Sequence, residues 1–348
     1  MSSADGWHTR VIADFKTLQQ LSPEWTGLWN RCPGATPFQR PEWVLSWTQA
    51  FDPRELYVIE IRRGERLVGL APLFCYRSGA KRILATLAAS VSDYADWLIE
   101  PVGNTETSEK IFQYLGSCER PWDRLDLTDL PSTSCLLALD FANWDCERSI
   151  ETVCPVLWLP PTARSVEEIL PSKQRHNLRT ARRRMERAGK ARVETATADS
   201  LDEFLAALVR LHGARWTRSG TSGMLAGTAV QQFHRLATSS LLRREVLRLY
   251  GLRFNGQLIA ALYALAERDI VYCYLQGFDP EYGRFSPGAQ ILAAAIDDAI
   301  REGQIAVDFL RGAELYKYAW GTRDQATYRL CLRPPVEVQQ SARPIVAF

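Results

Sequence analysis

The sequence predicts an α/β (α+β) fold that contains two copies of one domain. Segments 56–74 and 247–265 both alternate apolar and polar residues around a short turn, which is the pattern of a β-hairpin. The two hairpins align at an offset of 191 residues, which pairs Leu67 with Leu258 and Val68 with Ile259. Because the order helix, hairpin, strand, helix, strand occurs twice, we favour a duplication over a chance likeness of two hairpins.

The first copy begins with a helix over 41–51, where Trp43, Trp47 and Phe51 recur every four residues and form one face. Its hairpin turns at Gly64, and a short strand over 124–130 (RLDLTDL) closes the copy. The sequence ILATLAASVSDYADWL between these elements has no glycine. The first copy is therefore not expected to contain a glycine-bearing loop before a helix.

The second copy begins with a helix over 200–212, where Ser200 and Glu203 have the spacing of a capping box. A further helix is predicted around 228–241, a hairpin turn at Asn255-Gly256, and a closing strand over 307–315. The Pro-Pro break in LWLPPTARS marks the boundary between the copies, so domains are predicted at 1–155 and 165–335. A repeat period of 191 residues is too long for a solenoid.

Composition excludes several classes of protein. With 46% hydrophobic and 24% charged residues, a net charge of +2 and 348 residues, the chain resembles a two-domain globular protein without a bulk nucleic-acid-binding charge. Eight cysteines without a CxxC pair, and only four histidines, argue against a zinc site, so no metal is expected. The first residues lack an apolar signal core and no stretch is long enough to span a membrane, which predicts a cytoplasmic location.

A basic helix is predicted over 171–190, between Ser172 as N-cap and Gly189 as helix stop. One interpretation is a solvated basic helix that lies on the second domain. The other is a phosphate-facing surface, in which Lys173, Arg175 and Arg179 are preferred because they lie nearest the N-terminal end of the helix. Binding of RNA is disfavoured because no stacking aromatic residues interrupt the basic run.

A second candidate site lies in the stretch that runs from 269 to 301. The β-prone segment 269–278 predicts a strand with Tyr272, Tyr274 and Gln276 on one face, followed by a turn and an apolar helix that ends at Gly303. Free backbone N–H groups at the start of that helix, next to Gly288 and Arg284, are suited to an anion. The alternative is an ordinary turn in which Ser286 caps the helix.

The loop RFSPGAQIL (284–292) and the closing DFLRGAELYKYAWG (308–321) resemble the GNAT superfamily, and within it the two-domain BioF2-like acetyltransferases associated with cellulose and exopolysaccharide. PFQRPEWVLSWTQAF, SVSDYADWL and the basic helix match further segments of that family, which is related in fold to the Fem-type aminoacyltransferases of peptidoglycan bridges. The resemblance implies tandem GNAT-like domains, each a mixed, mostly antiparallel sheet flanked by helices. The N-terminal copy is then a degenerate domain on the acceptor side, and the C-terminal copy binds the donor.

In that family the donor is an acyl-coenzyme A, usually acetyl-CoA, whose pyrophosphate lies on a glycine-rich loop at a helix start. The resemblance implies a donor site made of Tyr274, Gln276, Arg284, Phe285, Ser286, Gly288 and Ala289. Here Pro287 stands where the family pattern has its first glycine. Loops with Ser-Pro-Gly also occur in branches that use aminoacyl-tRNA.

Acyl transfer requires a proton acceptor, a stabilised oxyanion and a protonated leaving group. We expect Asp308 or Asp93 as the base, a backbone N–H where the strands splay around 272–276 as the oxyanion donor, and Tyr316 and Lys317 as catalytic groups. The alternatives are a capping or ion-pairing role for Asp308 and core packing of the tyrosines against Trp320. The acceptor is expected to contact Tyr94, Lys173, Arg175, Arg179, Arg215 and Arg311.

Three functions remain open from the sequence. The first is transfer of an acyl group, expected to be acetyl, from acyl-CoA to an amine or hydroxyl of a sugar or envelope polysaccharide precursor. The second is a Fem-like transferase that uses charged tRNA, and the third is a non-catalytic scaffold with the same fold. The absence of G-x-S-x-G and Walker sequences argues against serine hydrolases and nucleotide hydrolases, and DNA is not an expected partner.

Overall fold

The computed structural model describes residues 6–117, 122–141, 144–217, 225 and 227–334; the side chains of 117 and 214–217 are outside that description. The chain divides into two compact units, one formed by Met1–Thr152 with Ala326–Phe348 and the other by Val153–Gln325. Both units are mixed α/β structures with mostly antiparallel sheets, which confirms the fold class predicted from the sequence.

The elements of the first unit follow the predicted order. Its strands are β1 Trp7–Ile12, β2 Leu56–Arg63, β3 Arg66–Ser78, β4 Lys81–Thr86, β5 Leu98–Ile99, β6 Arg124–Pro131 and β7 Asp145–Trp158, the last of which continues into the second unit. Its helices are α1 Phe15–Gln20, α2 Ser22–Arg31, α3 Pro41–Phe51 and α4 Asn104–Ser117. Strands β1, β2, β3 and β4 are neighbours in that order, and β4 pairs in parallel with β6.

The elements of the second unit are helices α5 Val166–Ile169, α6 Ser172–Ala188, α7 Leu201–Thr217, α8 Thr228–Arg243, α9 Pro287–Arg301 and α10 Leu315–Tyr318. Its strands are β8 Ala191–Thr195, β9 Leu247–Phe254, β10 Gln257–Glu267, β11 Ile270–Phe278 and β12 Ala306–Asp308. The last strand, β13 Arg323–Arg333, begins in this unit and pairs with β6 inside the first.

Helices α5, α6 and α9 of the second unit pack on one face of its sheet. Helix α7 packs on the other face, where Phe204 lies against Gly251.

Hairpin geometry supports the duplication more strongly than the sequence did. The turn pairs are Arg63 with Arg66 in the first copy and Phe254 with Gln257 in the second, at the same offset of 191 residues. Both hairpins also contain a bulge, and the residue left out of register is Val68 in one and Ile259 in the other. A β-bulge is a specific feature of a strand. Its presence at matched positions therefore indicates one domain architecture used twice.

Three predicted details are wrong. Ser172 is the first residue of α6 and Pro171 occupies the N-cap position, with no side-chain cap. Glu203 does not complete a capping box, because its carboxylate accepts from the Arg253 guanidinium at 2.9 Å. The closing strand predicted over 307–315 ends at Asp308, because the chain turns there and Leu310 adopts a left-handed backbone with φ of 58°.

Each unit has its own apolar core. In the first, α4 packs Ile111, Phe112 and Leu115 against β2, β3 and β6. In the second, Ile291, Leu292, Ala295 and Ile296 of α9 pack against β9 and β10, as the predicted apolar stripe requires. No described helix is long and apolar enough to cross a membrane.

One carboxylate of the first unit titrates in an unusual range. Burial raises the pKa of Asp96 to about 6 from an ordinary value of 3.8, although Ser134 and the Trp97 N–H hydrogen-bond to it. The folded state therefore holds this proton more tightly than the unfolded state. The stabilisation that the protonated Asp96 side chain contributes is complete below about pH 4 and is lost as the pH rises through about 6.

We expect the substitution Asp96→Asn to raise the free energy of unfolding at pH 7.5 by on the order of 1–3 kcal/mol, because it removes the buried charge. The amide oxygen still accepts both hydrogen bonds. Urea unfolding at pH 7.5 and at pH 4 measures the effect, and the difference from the unmodified protein should shrink at the lower pH. Asp140→Asn, at an exposed position of the same unit, is the control. Equal stability of Asp96→Asn and the unmodified protein at pH 7.5 would contradict the account.

Candidate functional site

The sheet of the second unit opens between β11 and β12. These strands pair in parallel over only three residue pairs, the last of which is Tyr272 with Asp308. Strand β11 then continues to Phe278 without β12 beside it. The two strands therefore separate beyond Tyr272. This opening lies where the sequence predicts a splay.

A bulge in β11 rearranges the side chains beside this opening. Tyr263 pairs with Leu275 and Ala264 with Cys273, so Tyr274 is the extra residue. The extra residue reverses the alternation of faces beyond it. The predicted face is therefore wrong for Gln276. Its side chain points to α9, where its amide donates to the Gly288 carbonyl at 2.6 Å, whereas Tyr274 lies on the opposite face.

The opposite face of β11 carries an aromatic cluster that the sequence did not reveal. The rings of His234, Tyr263 and Tyr274 lie 5.3–5.8 Å apart, and His212 Nδ1 lies 3.3 Å from the Gln276 carbonyl. Burial lowers the pKa of His234 to about 3, so its ring is neutral at pH 7. The histidines are far apart in sequence, and only the packing of α7 and α8 brings them to one strand.

The chain turns sharply at the start of α9, and side-chain amides hydrogen-bond to the backbone of this corner. A 3₁₀ segment, Pro280–Phe285, leads into it, and Ser286 adopts a left-handed backbone with φ of 49°. The Ser286 hydroxyl makes no capping bond, so the alternative of a serine cap is wrong. Two amides brace the corner instead: Gln276 holds the Gly288 carbonyl, and Gln290 donates to the Phe285 carbonyl at 2.7 Å.

Gly288 has a packing role in this corner. A Cβ atom there would lie 3.1 Å from both the Gln276 amide nitrogen and the Phe278 ring. The absent side chain therefore allows α9 to approach β11 closely. Ala289 is half-buried and packs against the core. Pro287 has no N–H, so Gly288 provides the first backbone donor of the helix.

Arg284 and Phe285 have different environments despite adjacent positions. The Phe285 side chain is 3% exposed and packs with Phe254 at 5.5 Å between ring centroids. A direct donor contact predicted for the Phe285 ring therefore conflicts with its place in the core. Arg284 is exposed, and its guanidinium lies 4.6 Å above the Phe285 ring. Phe285 thus positions Arg284 beside the start of α9.

A buried lysine organises the loop after β12. The Lys317 ammonium is 2.8–3.1 Å from the carbonyl oxygens of Leu310, Arg311 and Gly312, and 3.0 Å from Glu314 Oε2. Its three N–H donors therefore have protein acceptors, and its side chain is 3% exposed. The sequence suggested Lys317 as a catalytic group, but these contacts make it a clamp on the 310–312 backbone.

Asp308 lies at the point where β11 and β12 separate. Its side chain is buried, and Oδ1 accepts the Leu310 N–H at 2.7 Å. This contact and the Lys317 clamp together hold Leu310 in its left-handed conformation. Burial, with a contribution from the Asp308 charge, raises the pKa of the Cys273 thiol to about 12. Asp308, which the sequence predicts as the base, therefore lies at the predicted separation of β11 and β12 in the second unit.

The tyrosines of α10 do not pack as core residues. Tyr316 is 42% exposed, and the Tyr318 hydroxyl donates to Asp324 at 2.9 Å, whereas Trp320 is buried in the core. The alternative of joint core packing with Trp320 is therefore wrong for Tyr316. Arg311 is partly exposed and contributes its carbonyl to the Lys317 clamp.

The basic helix α6 runs antiparallel to α9, so its C-terminal end lies near the start of α9. Its C-terminal end reaches the turn of the second hairpin, where Lys190 N donates to Asn255 Oδ1 at 3.0 Å. Phe254 in the same hairpin packs against Tyr282 and Phe285, just before α9. The exposed charged residues near this end include Arg183, Arg184, Glu186 and Arg187, and the three arginines have no ion-pair partner among the described residues.

Of the three basic residues that the sequence favoured, Lys173 and Arg175 lie towards the other end of α6, roughly 20 Å from Arg187 at 1.5 Å per residue, and Arg179 lies in the middle of the helix, roughly 12 Å from it. Arg175 donates to the Leu170 carbonyl at 2.9 Å, and Arg179 pairs with Glu167 at 2.7 Å. Lys173 is exposed. Arg182 contacts Asp297 in the middle of α9, which fixes the direction of the helix. These residues therefore do not meet the corner at Gly288.

The remaining predicted residues lie elsewhere. Asp93 and Tyr94 are buried in the first unit, in the segment between β4 and β5. Arg215 falls in α7, but its side chain is outside the described part of the chain. Among the described residues, no group of histidine, cysteine and carboxylate side chains is arranged to hold a metal ion.

Comparison with known proteins identifies one family model that matches within the second unit. Residues 172–318 match the family model described as "Acetyltransferase (GNAT) domain". The chain is similar to the crystal structure of FemX at 10% identity and a TM-score of 0.68, over 96% of this chain and 99% of that one. No curated protein sequence matches the chain.

Two further solved structures share the fold. One is the C-terminal DUF2156 domain of a protein from Agrobacterium fabrum, at 10% identity and a TM-score of 0.57, over 94% of this chain and 95% of that one. The other is L-PGS from Bacillus licheniformis, at 12% identity and a TM-score of 0.50, over 81% and 87% of the two chains. At these identities the likeness shows a common fold.

Proposed function

We propose that the chain is an acyltransferase that moves an acyl group, in the first instance acetyl, from an acyl-CoA thioester to an amine or hydroxyl. The observation that carries this proposal is the corner formed by the open end of β11 and the start of α9, inside the segment that matches the GNAT acetyltransferase domain. An opened parallel pair gives a thioester access to backbone donors. The adjacent helix start gives an anion site next to it.

The donor phosphates would lie at the start of α9. Gly288 offers a backbone N–H there, and the exposed Arg284 offers a guanidinium that suits phosphate oxygens. Arg184 and Arg187 extend the positive surface from the C-terminal end of α6. Because Gln276 and Gln290 already brace the corner, little backbone ordering is needed when the donor binds.

The reaction then requires an acceptor, a base and oxyanion donors that are held in place around the thioester. The acceptor nitrogen or oxygen attacks the thioester carbonyl carbon and passes its proton to a base. The C–S bond breaks, and the coenzyme A thiolate that leaves takes up a proton from the protonated base. A backbone N–H group of β11 beyond Tyr272 would stabilise the oxyanion. Asp308, at the end of the splay, is our proposed base in this unit; Asp93 is the proposed alternative from the first unit.

The class of acceptor follows from the family resemblance. Similarity to BioF2-like acetyltransferases suggests a sugar or an envelope polysaccharide precursor as acceptor, with the first unit on the acceptor side. A second candidate is transfer of an aminoacyl group from charged tRNA. Two observations favour it: the fold is similar to that of FemX, and Pro287 removes one N–H from the donor loop.

Titration calorimetry with acetyl-CoA separates the two donors. We expect micromolar binding that weakens at least about tenfold in Arg284→Ala, because one charge-assisted hydrogen bond is lost. Lys173→Ala, at the opposite end of α6, should bind as the unmodified protein does. If acetyl-CoA does not bind while a charged tRNA does, the donor is an aminoacyl-tRNA and the first candidate is wrong. If neither binds, the fold serves as a scaffold.

A further inference from the structure

The first unit contains a cavity that the proposed transfer site does not use. Its volume is about 190 Å³, and its walls come from the loop after α2, the segment that leads into β5, the start of α4 and the loop after β6. An apolar cavity of about 150 Å³ holds a benzene molecule, so this one is large enough for a small organic ligand. The lining residues Pro33, Gly34, Pro101 and Thr133 are exposed, which makes the cavity accessible from the surface.

Asp96 gives the cavity a negative charge that lacks a counterion. Its Oδ1 accepts both the Trp97 backbone N–H and the Ser134 hydroxyl, each at 2.8 Å. Oδ2 has no partner among the described residues. No lysine, arginine or histidine occurs among the residues that line the cavity. The carboxylate therefore has one oxygen available and no cation that neutralises it.

Trp97 supports the same wall from the core side. The Trp97 side chain is 4% exposed, and its indole Nε1–H has no acceptor among the described residues. Stacking on Phe112, at 5.5 Å between ring centroids, holds the indole in place. The indole therefore belongs to the apolar core that supports this wall.

We propose that this cavity binds a small primary ammonium compound, such as an amino alcohol. The ammonium donates to Asp96 Oδ2 and neutralises the carboxylate. Amino acids with a free carboxylate fit less well, because their charge would repel Asp96.

The other titratable groups in the wall support this charge assignment. Cys135 and Cys32 line the cavity, and burial raises the pKa of Cys135 to about 11, with the nearby Asp96 charge acting in the same direction. The Cys135 thiol is therefore neutral at pH 7.5, whereas Asp96 is ionised. The cavity then has a net negative charge, which excludes anions and attracts a cation.

Two matched ligand pairs test the proposal on the full-length protein without an acyl donor. Serinol and glycerol differ only in an ammonium or hydroxyl at the central carbon, and ethanolamine and ethylene glycol differ in the same way. At pH 7.5 we expect calorimetry or ligand-observed NMR to detect serinol and ethanolamine, with the neutral partners at least about tenfold weaker. Equal binding within each pair, or no binding of either amine up to its solubility limit, overturns the proposal.

Variants localise the site. Asp96→Asn, which keeps the shape and the Oδ1 hydrogen bonds, should weaken serinol binding at least about tenfold, whereas Asp140→Asn should not change it. Unchanged binding in Asp96→Asn also overturns the proposal. Arg284→Ala should keep full serinol binding. A failure of acetyl-CoA binding therefore leaves the amine site standing, and a failure of serinol binding leaves the transfer site standing.

Discussion

Replacing Lys317 with methionine is expected to lower the free energy of unfolding by about 3 kcal/mol or more and to abolish transfer activity. The ammonium is the common donor to the carbonyls of Leu310, Arg311 and Gly312, and methionine offers them none. Each carbonyl left without a partner in a buried position costs on the order of 1–3 kcal/mol. Leu310 would then relax from its left-handed conformation, and Asp308, which accepts its N–H, would lose its fixed position.

Urea unfolding and acyl-transfer assays on the same preparations measure both effects of Lys317→Met. Lys173→Met is the matched control, because Lys173 is exposed and surface substitutions of this kind usually change stability by less than about 0.5 kcal/mol. The sequence-based hypothesis, in which Lys317 contacts substrate, predicts lost activity with unchanged stability. That result would contradict the clamp.

The substitution Gly277→Ala is expected to be at least as damaging as the loss of Lys317. A Cβ atom at this position would lie 2.4 Å from the backbone nitrogen of His212 and 2.6 Å from the carbonyl carbon of Leu211. Both belong to the α7 backbone, so the helix or β11 must move. We expect a loss of about 3 kcal/mol or more, at the upper end of the range for overpacked cores.

The control for Gly277→Ala is Gly283→Ala in the segment before α9, where nothing lies within 4 Å of the added Cβ. The control should be neutral or slightly stabilising, because alanine restricts the unfolded chain. Thermal and urea unfolding measure both variants. Equal stability of Gly277→Ala and the control would show that α7 does not pack against β11 as described.

Local sequence patterns predicted the fold well because hairpins and amphipathic helices are encoded within short segments. The alternation around Gly64 and Asn255 located both hairpins, and the apolar stripe from Ile291 to Ala299 located α9. Their repetition at a constant offset supported the duplication. The patterns do not predict a β-bulge. The bulge at Tyr274 moves the Gln276 side chain to the other face of the sheet, and nothing in the local sequence indicates that a bulge occurs there.

The candidate site was predicted less completely, because its roles depend on contacts between distant segments. Arg284 and Gly288 were found from the loop sequence, but Gly288 serves packing against Phe278 as well. The direction of α6 relative to α9 decides which arginines approach the corner, and only the Asn255 and Asp297 contacts reveal it. Lys317 and Asp96 are similar cases, because burial and partners from other segments define their chemistry.

The central claim is that the acyl donor binds at the start of α9. Hydrogen–deuterium exchange of the full chain, with and without saturating acetyl-CoA, tests it directly. We predict slower exchange in the peptide that covers 279–292, which includes the Gly288 amide, and no change in the peptide over 96–104 beside the amine cavity. Unchanged exchange over 279–292 while the donor is bound, or protection confined to another segment, would contradict the claim.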